Sequence, residues 1–136
     1  MSVPLLLTKF NIPVTGTKIV RRPRLLRLLA EGLEQNVPLI LVCGPAGYGK
    51  TTLVSEWLHA SQPAYPGQFA WLTLESSDDD LARFLTYVVT ALQRIRPGLG
   101  QGMLKMLQTH KPQPPAVLAT LLVNELSDLS GRIILI

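Results

Sequence analysis

The nine residues Gly44-Pro45-Ala46-Gly47-Tyr48-Gly49-Lys50-Thr51-Thr52 constrain this chain more than any other feature. They fit the pattern G-x-x-x-x-G-K-[ST], in which glycines let the backbone turn sharply with its amides pointing inward, and a lysine and a hydroxyl follow at once. Inward amides form a nest for anions. The pattern carries weight only between a strand and a helix, and its neighbours supply both. Leu39-Ile40-Leu41-Val42-Cys43, bounded by Pro38 and Gly44, reads as a strand buried on both faces of a parallel sheet. After Gly49, the run Lys50 to Ala60 has no breaker and sets Leu53, Val54, Trp57 and Leu58 at helical spacing. A glycine turn that merely joins two elements is the bland alternative, and this context disfavours it.

The residue types assign the roles. Gly44, Pro45, Ala46, Gly47, Tyr48 and Gly49 wrap phosphate groups with backbone amides, helped by the positive dipole end of the helix that begins near Lys50. Lys50 puts a point charge on the β and γ phosphates, Thr51 offers its hydroxyl to Mg²⁺, and Thr52 is placed to bond the α-phosphate. The expected ligand is ATP or ADP with Mg²⁺. No residue is assigned a catalytic role.

The rest of the chain reads as alternating strands and helices. Residues 1–21, with Pro4, Pro13 and Gly16 and no sustained period, form an extended arm. Pro23 opens an amphipathic helix whose apolar face carries Leu25, Leu26, Leu28, Leu29 and Leu33, ending near Gln35-Asn36. Phe69 to Leu74 is a second strand, and Ser77-Asp78-Asp79-Asp80 caps a helix that keeps a 3.6 period through Leu92. A short helix around Met103 to Leu107, a longer one from Val117 to Leu129 after Pro112, Pro114 and Pro115, and a strand Ile133 to Ile136 complete the pattern. Alternation of this kind predicts parallel βαβ units, an α/β fold of the P-loop NTPase type with three α/β/α layers, incomplete at the C-terminus. The expected division is an arm, 1–21, and a nucleotide-binding domain of NB-ARC/AAA-like type, 22–136.

Composition removes several classes. A net charge of +4 is modest for a nucleic-acid binder. The single cysteine, Cys43, can form no internal disulfide, and with two distant histidines, His59 and His110, no metal-ligand spacing is present. Cys43 reads as a buried small hydrophobe and the histidines as solvated side chains without partners. The run Val3-Pro4-Leu5-Leu6-Leu7 is too short for a signal segment, and no stretch approaches the ~18 apolar residues of a membrane span. A soluble, cytoplasmic protein with no membrane partner is expected. Glu75 with Asp78, Asp79 and Asp80 suggests either a cation site or a capped helix start, the second being favoured. The basic cluster Lys18, Arg21, Arg22, Arg24 and Arg27 reads as a wet helix face or a nucleic-acid contact.

Beyond the loop, the arm Thr8-Lys9-Phe10 through Val20-Arg21-Arg22-Pro23-Arg24-Leu25-Leu26 resembles the start of MalT-like, LuxR-type transcriptional regulators of the STAND class of signal-transduction ATPases. The stretch Phe69-Ala70-Trp71-Leu72-Thr73-Leu74-Glu75-Ser76-Ser77-Asp78-Asp79-Asp80 with Arg83-Phe84-Leu85 is similar to the same group. The resemblance implies a nucleotide switch, closed with ADP and assembly-competent with ATP and an inducer, that self-associates and reads out to DNA through further domains. It also implies that Val20 and Arg22 lie on the adenine side of the nucleotide. The Walker B motif of this class is an apolar strand ending in acidic residues, and Ile133-Ile134-Leu135-Ile136 stops where the first of them is due. The resemblance thus implies a weakly stable piece of a longer, slow ATPase that is not catalytic alone, with Leu39 to Cys43 left without the neighbouring strands it has in such proteins.

Three functions compete on the sequence. The first is the regulatory switch. A small-substrate or nucleotide kinase uses the same loop but needs an acceptor pocket and further arginines or a base, and none is visible. A P-loop relic acting only as an interaction scaffold is the third.

Overall fold

The computed structural model describes residues 4–109 and 113–136. Val3, Pro112 and His110, to which the sequence reading gave parts, lie outside the described residues. The chain divides into two compact units, one made of residues 1–11 and 67–136, the other of residues 12–66 inserted between them.

The inserted unit holds two helices, α1 (Pro23–Glu34) and α2 (Lys50–Ser61). Proline at the first position of α1 costs nothing, because that amide has no helical partner, and its fixed φ is already helical. Leu29 and Leu33, four residues apart on one face, are buried, while Leu28 is 52% exposed and falls off the apolar face expected of it. The end of α1 is a Schellman turn. Asn36 adopts φ 55°, the Asn36 amide donates to the Leu33 carbonyl at 3.2 Å, and the Val37 amide donates to that of Gly32 at 2.9 Å. The turn sends the chain back along α1, where a Cβ on Gly32 would stand 2.8 Å from Ile40 Cδ1. On α2, Leu53, Trp57 and Leu58 are buried.

Leu39 to Cys43 is not the doubly buried strand its composition predicts. Among the described residues no strand pairs with it, and Leu39 and Leu41 are 77% and 78% exposed. Cys43 is likewise exposed, not packed. The physical reason is the absence of a ladder: a segment needs hydrogen-bonded neighbours on both sides before its two faces can be covered.

The other unit is built around α3 (Leu81–Gln93). Asp80 caps it as expected, its carboxylate accepting from the Arg83 amide at 2.9 Å. Three sides of this helix are buried. Tyr87 and Ala91 meet Phe10 and Ala70. Leu85 and Val89 meet Met103 on α4 (Gln101–Leu107) and Leu118 on α5 (Pro115–Ser127). Val88 and Leu92 meet Leu99, with Leu122 and Leu126 of α5 alongside. Strands β1 (Phe69–Ala70) and β2 (Ile134–Leu135) run parallel, Phe69 opposite Ile134, as the alternation predicts and as the helical crossover between them allows. The pairing continues to Leu72, whose amide donates to the Ile136 carbonyl at 2.7 Å.

The arm is not extended throughout. Leu7–Phe10 is a 3₁₀ turn whose Lys9 and Phe10 are buried. The Lys9 ammonium sits on the Asp78 carboxylate and 3.3 Å from Glu75, with only 3% and 2% of the Lys9 and Asp78 side chains exposed. Asp78 also accepts from Arg83 Nε at 3.2 Å and from the Glu75 amide at 2.9 Å. Lys9 accepts at its own carbonyl from the Thr73 amide at 2.8 Å, and its ammonium lies 4.9 Å from the Tyr87 ring centre.

The hydrogen bond from Lys9, then that from the Glu75 amide, holds the Asp78 carboxyl below its ordinary 3.8. The bond to Asp78 lifts the Lys9 ammonium above 10.5, against the opposing effect of burial. A depressed carboxyl stabilises the fold above its unfolded pKa and loses that contribution as pH falls through the folded one; a raised ammonium does so below its unfolded pKa and loses it as pH rises. The stability difference between wild type and Asp78→Asn, measured by urea melts, is therefore constant at neutral pH and shrinks as pH drops below 3.8. A second test concerns Gly100, the left-handed residue before α4 (φ 69°), where an added Cβ would overlap Val89 Cγ1. Gly100→Ala should destabilise this unit by about 2–4 kcal/mol through strain and overpacking, read as a lowered midpoint in the same melts.

Candidate functional site

The glycine loop follows the exposed segment 39–43 and leads straight into α2. Gly47 and Gly49 have φ of 81° and 76°, left-handed values that side chains with a Cβ resist, and Gly49 is the residue that precedes the helix. A Cβ on Gly49 would lie 3.6 Å from Arg22 Nη2, ordinary contact, and one on Gly47 would meet nothing within 4 Å. The Tyr48 amide closes a turn onto the Pro45 carbonyl at 3.4 Å, and the Leu53 amide donates to the Gly49 carbonyl at 2.9 Å to begin the helical ladder.

Lys50 folds back over the loop that precedes it. Its ammonium donates to the carbonyls of Gly44 at 2.7 Å and Pro45 at 2.8 Å. An ammonium has three donors, so the side chain braces the loop with two of them and has a third N–H left over. Thr51 is exposed in the first turn of α2 and Thr52 half-buried beside it, both next to the amides at the positive end of the helix.

Beside the loop lies an open concavity of ≈ 140 Å³. One wall is Lys18, Ile19, Val20 and Arg22; the other is Gly47, Tyr48 and Gly49 with Thr52, Leu53 and Glu56 of α2. Sequence reasoning had put Val20 and Arg22 on one side of a nucleotide and the loop on the other, and the inserted unit brings these two groups to one hollow. Val20 is 82% exposed and Tyr48 63%, so two large apolar side chains stand open to solvent at its rim. Gly44, Pro45, Ala46, Lys50 and Thr51 do not line the concavity; they form the loop and helix start next to it. The reading missed Lys18, Ile19, Leu53 and Glu56. Glu56 was accessible to it, because it stands one turn beyond Thr52 on α2 and faces the same way. Arg21 Nε reaches the Glu56 carboxylate at 3.6 Å, a partly exposed pair that joins the segment 18–22 to α2.

The remaining candidates are not among the residues that line the hollow. Within its own unit the acidic run pairs Asp78 with Lys9 and caps α3 with Asp80, and among the described residues no His, Cys, Asp and Glu grouping could hold a metal ion. His59 is exposed but has a partner, its Nδ1 lying 2.6 Å from the Ser55 carbonyl, which corrects the expectation of an unpartnered ring. No helix among the described residues is long and apolar enough to cross a membrane.

The family model described as AAA ATPase domain matches residues 20–133, which takes in the loop, the segment 20–22 and α1 to α5. The chain belongs to the AAA ATPase domain family. That family carries the P-loop type of α/β fold. Two relatives illustrate the range of proteins that contain such a stretch. The HTH-type transcriptional regulator MalT of Yersinia pestis is 33% identical over 129 residues, 95% of this AAA ATPase domain chain and 14% of MalT. The serine/threonine-protein kinase PknK of Mycobacterium tuberculosis is 29% identical over 126 residues, 93% of this chain and 11% of PknK. The chain thus spans roughly an eighth of the length of the curated relatives it matches. The resemblance to MalT-like regulators drawn from the arm, the loop and the aromatic strand is borne out.

The loop geometry makes a prediction independent of any ligand. Gly47→Ala and Gly49→Ala should each destabilise the inserted unit by about 1–2 kcal/mol, because alanine is strained at these φ values. Gly44→Ala should be near neutral: its added Cβ would meet Lys50 and Tyr48 side-chain atoms at 3.9 Å, ordinary contact. Thermal melts of the three variants followed by the helical signal check the contrast.

Proposed function

We propose that this AAA ATPase domain is an ATP- or ADP-binding switch of a longer regulator. The observation that carries the proposal is the hollow in which the glycine loop and the segment 18–22 face each other. A nucleotide has an anionic end and a flat, largely apolar end, and the hollow offers a separate surface for each. In this reading the amides of Gly44 to Gly49 and the free N–H of Lys50 take the phosphates, Thr51 holds Mg²⁺ and Thr52 the α-phosphate. Val20 and Arg22 cover the base. The residues fit such a ligand: the left-handed glycines clear the approach to the loop amides, and the lysine is already fixed within the loop.

The reading carries a three-layer α/β/α arrangement with it, in which segment 39–43 becomes a paired strand. It also carries an inducer, self-association and DNA binding through parts of the regulator outside this chain. The same stretch occurring in proteins named as a transcriptional regulator and as a protein kinase supports a regulatory module that serves different outputs. Binding without rapid turnover is the expected behaviour of this chain.

Titration of a fluorescent ADP or ATP analogue with Mg²⁺ tests the proposal. Lys50→Ala should weaken binding about 10- to 100-fold through loss of a charge-assisted contact, with circular dichroism unchanged. A folded wild-type chain that binds neither nucleotide would sink it.

A further inference from the structure

Among the described residues that line the hollow, Glu56 is the one acidic group, and the charged side chains that share the lining with it are Lys18 and Arg22. A carboxylate repels phosphates, so its place in a hollow beside an anion-binding loop calls for a different partner. The pair with Arg21 does not satisfy it. Arg21 Nε stands 3.6 Å from Glu56 Oε1, longer than a hydrogen bond, and the Arg21 side chain is 83% exposed, so the attraction is screened by solvent. The Glu56 side chain is only 19% exposed, and its carboxylate keeps acceptor sites for a ligand donor.

The position of Glu56 along α2 says which donor it meets. Thr52 and Glu56 both line the hollow and stand one turn apart on one face of the helix, about 6 Å along its axis. With the α-phosphate at Thr52 and the base against Val20, the group of a nucleotide that falls between them is the sugar. Ribose presents two neighbouring hydroxyls as donors, and a carboxylate with two oxygens is the acceptor that suits them. The exocyclic amine of adenine is the competing donor, but it lies at the end of the ligand farthest from the phosphates, whereas Glu56 is one turn from Thr52.

We propose that Glu56 selects ribonucleotides by accepting hydrogen bonds from the 2′ and 3′ hydroxyls of the ribose, an inference that rests on the nucleotide reading above and deepens it. The contact is made apart from the phosphates, so its loss weakens ATP and spares a nucleotide without the hydroxyls. Arg21 has the lesser part of offsetting the repulsion between the carboxylate and the phosphates.

Calorimetric titration of the whole chain with MgATP and with the Mg²⁺ complex of 2′,3′-dideoxy-ATP tests the proposal. Wild type should bind MgATP about tenfold more tightly than the dideoxy compound. Glu56→Ala should lower the ATP affinity to the dideoxy level and change the dideoxy affinity by less than about threefold, which abolishes the preference. Glu56→Gln, which keeps an acceptor oxygen without the charge, should retain part of it, and Arg21→Ala should retain it, separating the sugar contact from the ion pair. Equal affinity of wild type for the two nucleotides overturns the inference, and this comparison needs no variant to fold. Parallel weakening of both in Glu56→Ala, with the preference intact, also overturns it, because Glu56 then supports the segment 18–22 or meets the base. Both of these results leave the nucleotide reading standing, whereas a wild-type chain that binds neither nucleotide removes that reading and the inference with it.

Discussion

An ammonium group with 3% of its side chain exposed persists only with a charge beside it, and in this molecule that charge comes from a residue 69 positions away. Lys9 on Asp78 fixes where the N-terminal segment lies, and much else follows from that. The segment contributes Phe10 to the layer over Tyr87 and a backbone acceptor to Thr73, just past β1. Asp78 is committed in turn to Lys9, Arg83 and the Glu75 amide, which turns an acidic run that looks like a cation site into the structural start of α3. A chain clasped in this way must leave and re-enter its unit at defined places, and the stretch between is the unit that carries the glycine loop.

Within that inserted unit the governing constraint is local. Two left-handed glycines and a lysine that bonds the carbonyls of its own loop shape residues 44–50 without help from any sheet. The loop keeps this shape although the apolar segment before it is exposed. The shape of the loop is a property of a short sequence, whereas the burial of segment 39–43 is a property of neighbours.

That distinction explains what could be read in advance. The helices were legible because their signals are local: Pro23 at a first turn, Asp80 at a cap, a 3.6 period through Leu85, Val88 and Leu92. The parallel pairing of 69–70 with 134–135 followed from alternation and chain direction. Composition alone misread segment 39–43 as doubly buried, because an apolar run states that burial is favourable, not that a partner is present to provide it, whereas the resemblance had implied that its neighbouring strands are missing; Cys43 was misplaced by the compositional reading. The Lys9–Asp78 pair left no trace in the sequence, since nothing in a lone lysine after a threonine specifies an acid 69 residues on. The hollow was half legible. The loop declared itself by pattern and Val20 and Arg22 by resemblance, while Glu56 needed only the helical step from Thr52 to be noticed.

The central claim is that the glycine loop and the wall at 18–22 form one ligand site for a nucleotide. Residue-resolved amide chemical shifts during titration with MgADP test it most directly. The account predicts saturable shifts at Gly47, Gly49, Lys50 and Thr51 together with Val20 and Arg22, both groups following one binding curve. Shifts at neither group, or shifts at the loop that leave 18–22 unmoved at saturation, would contradict it.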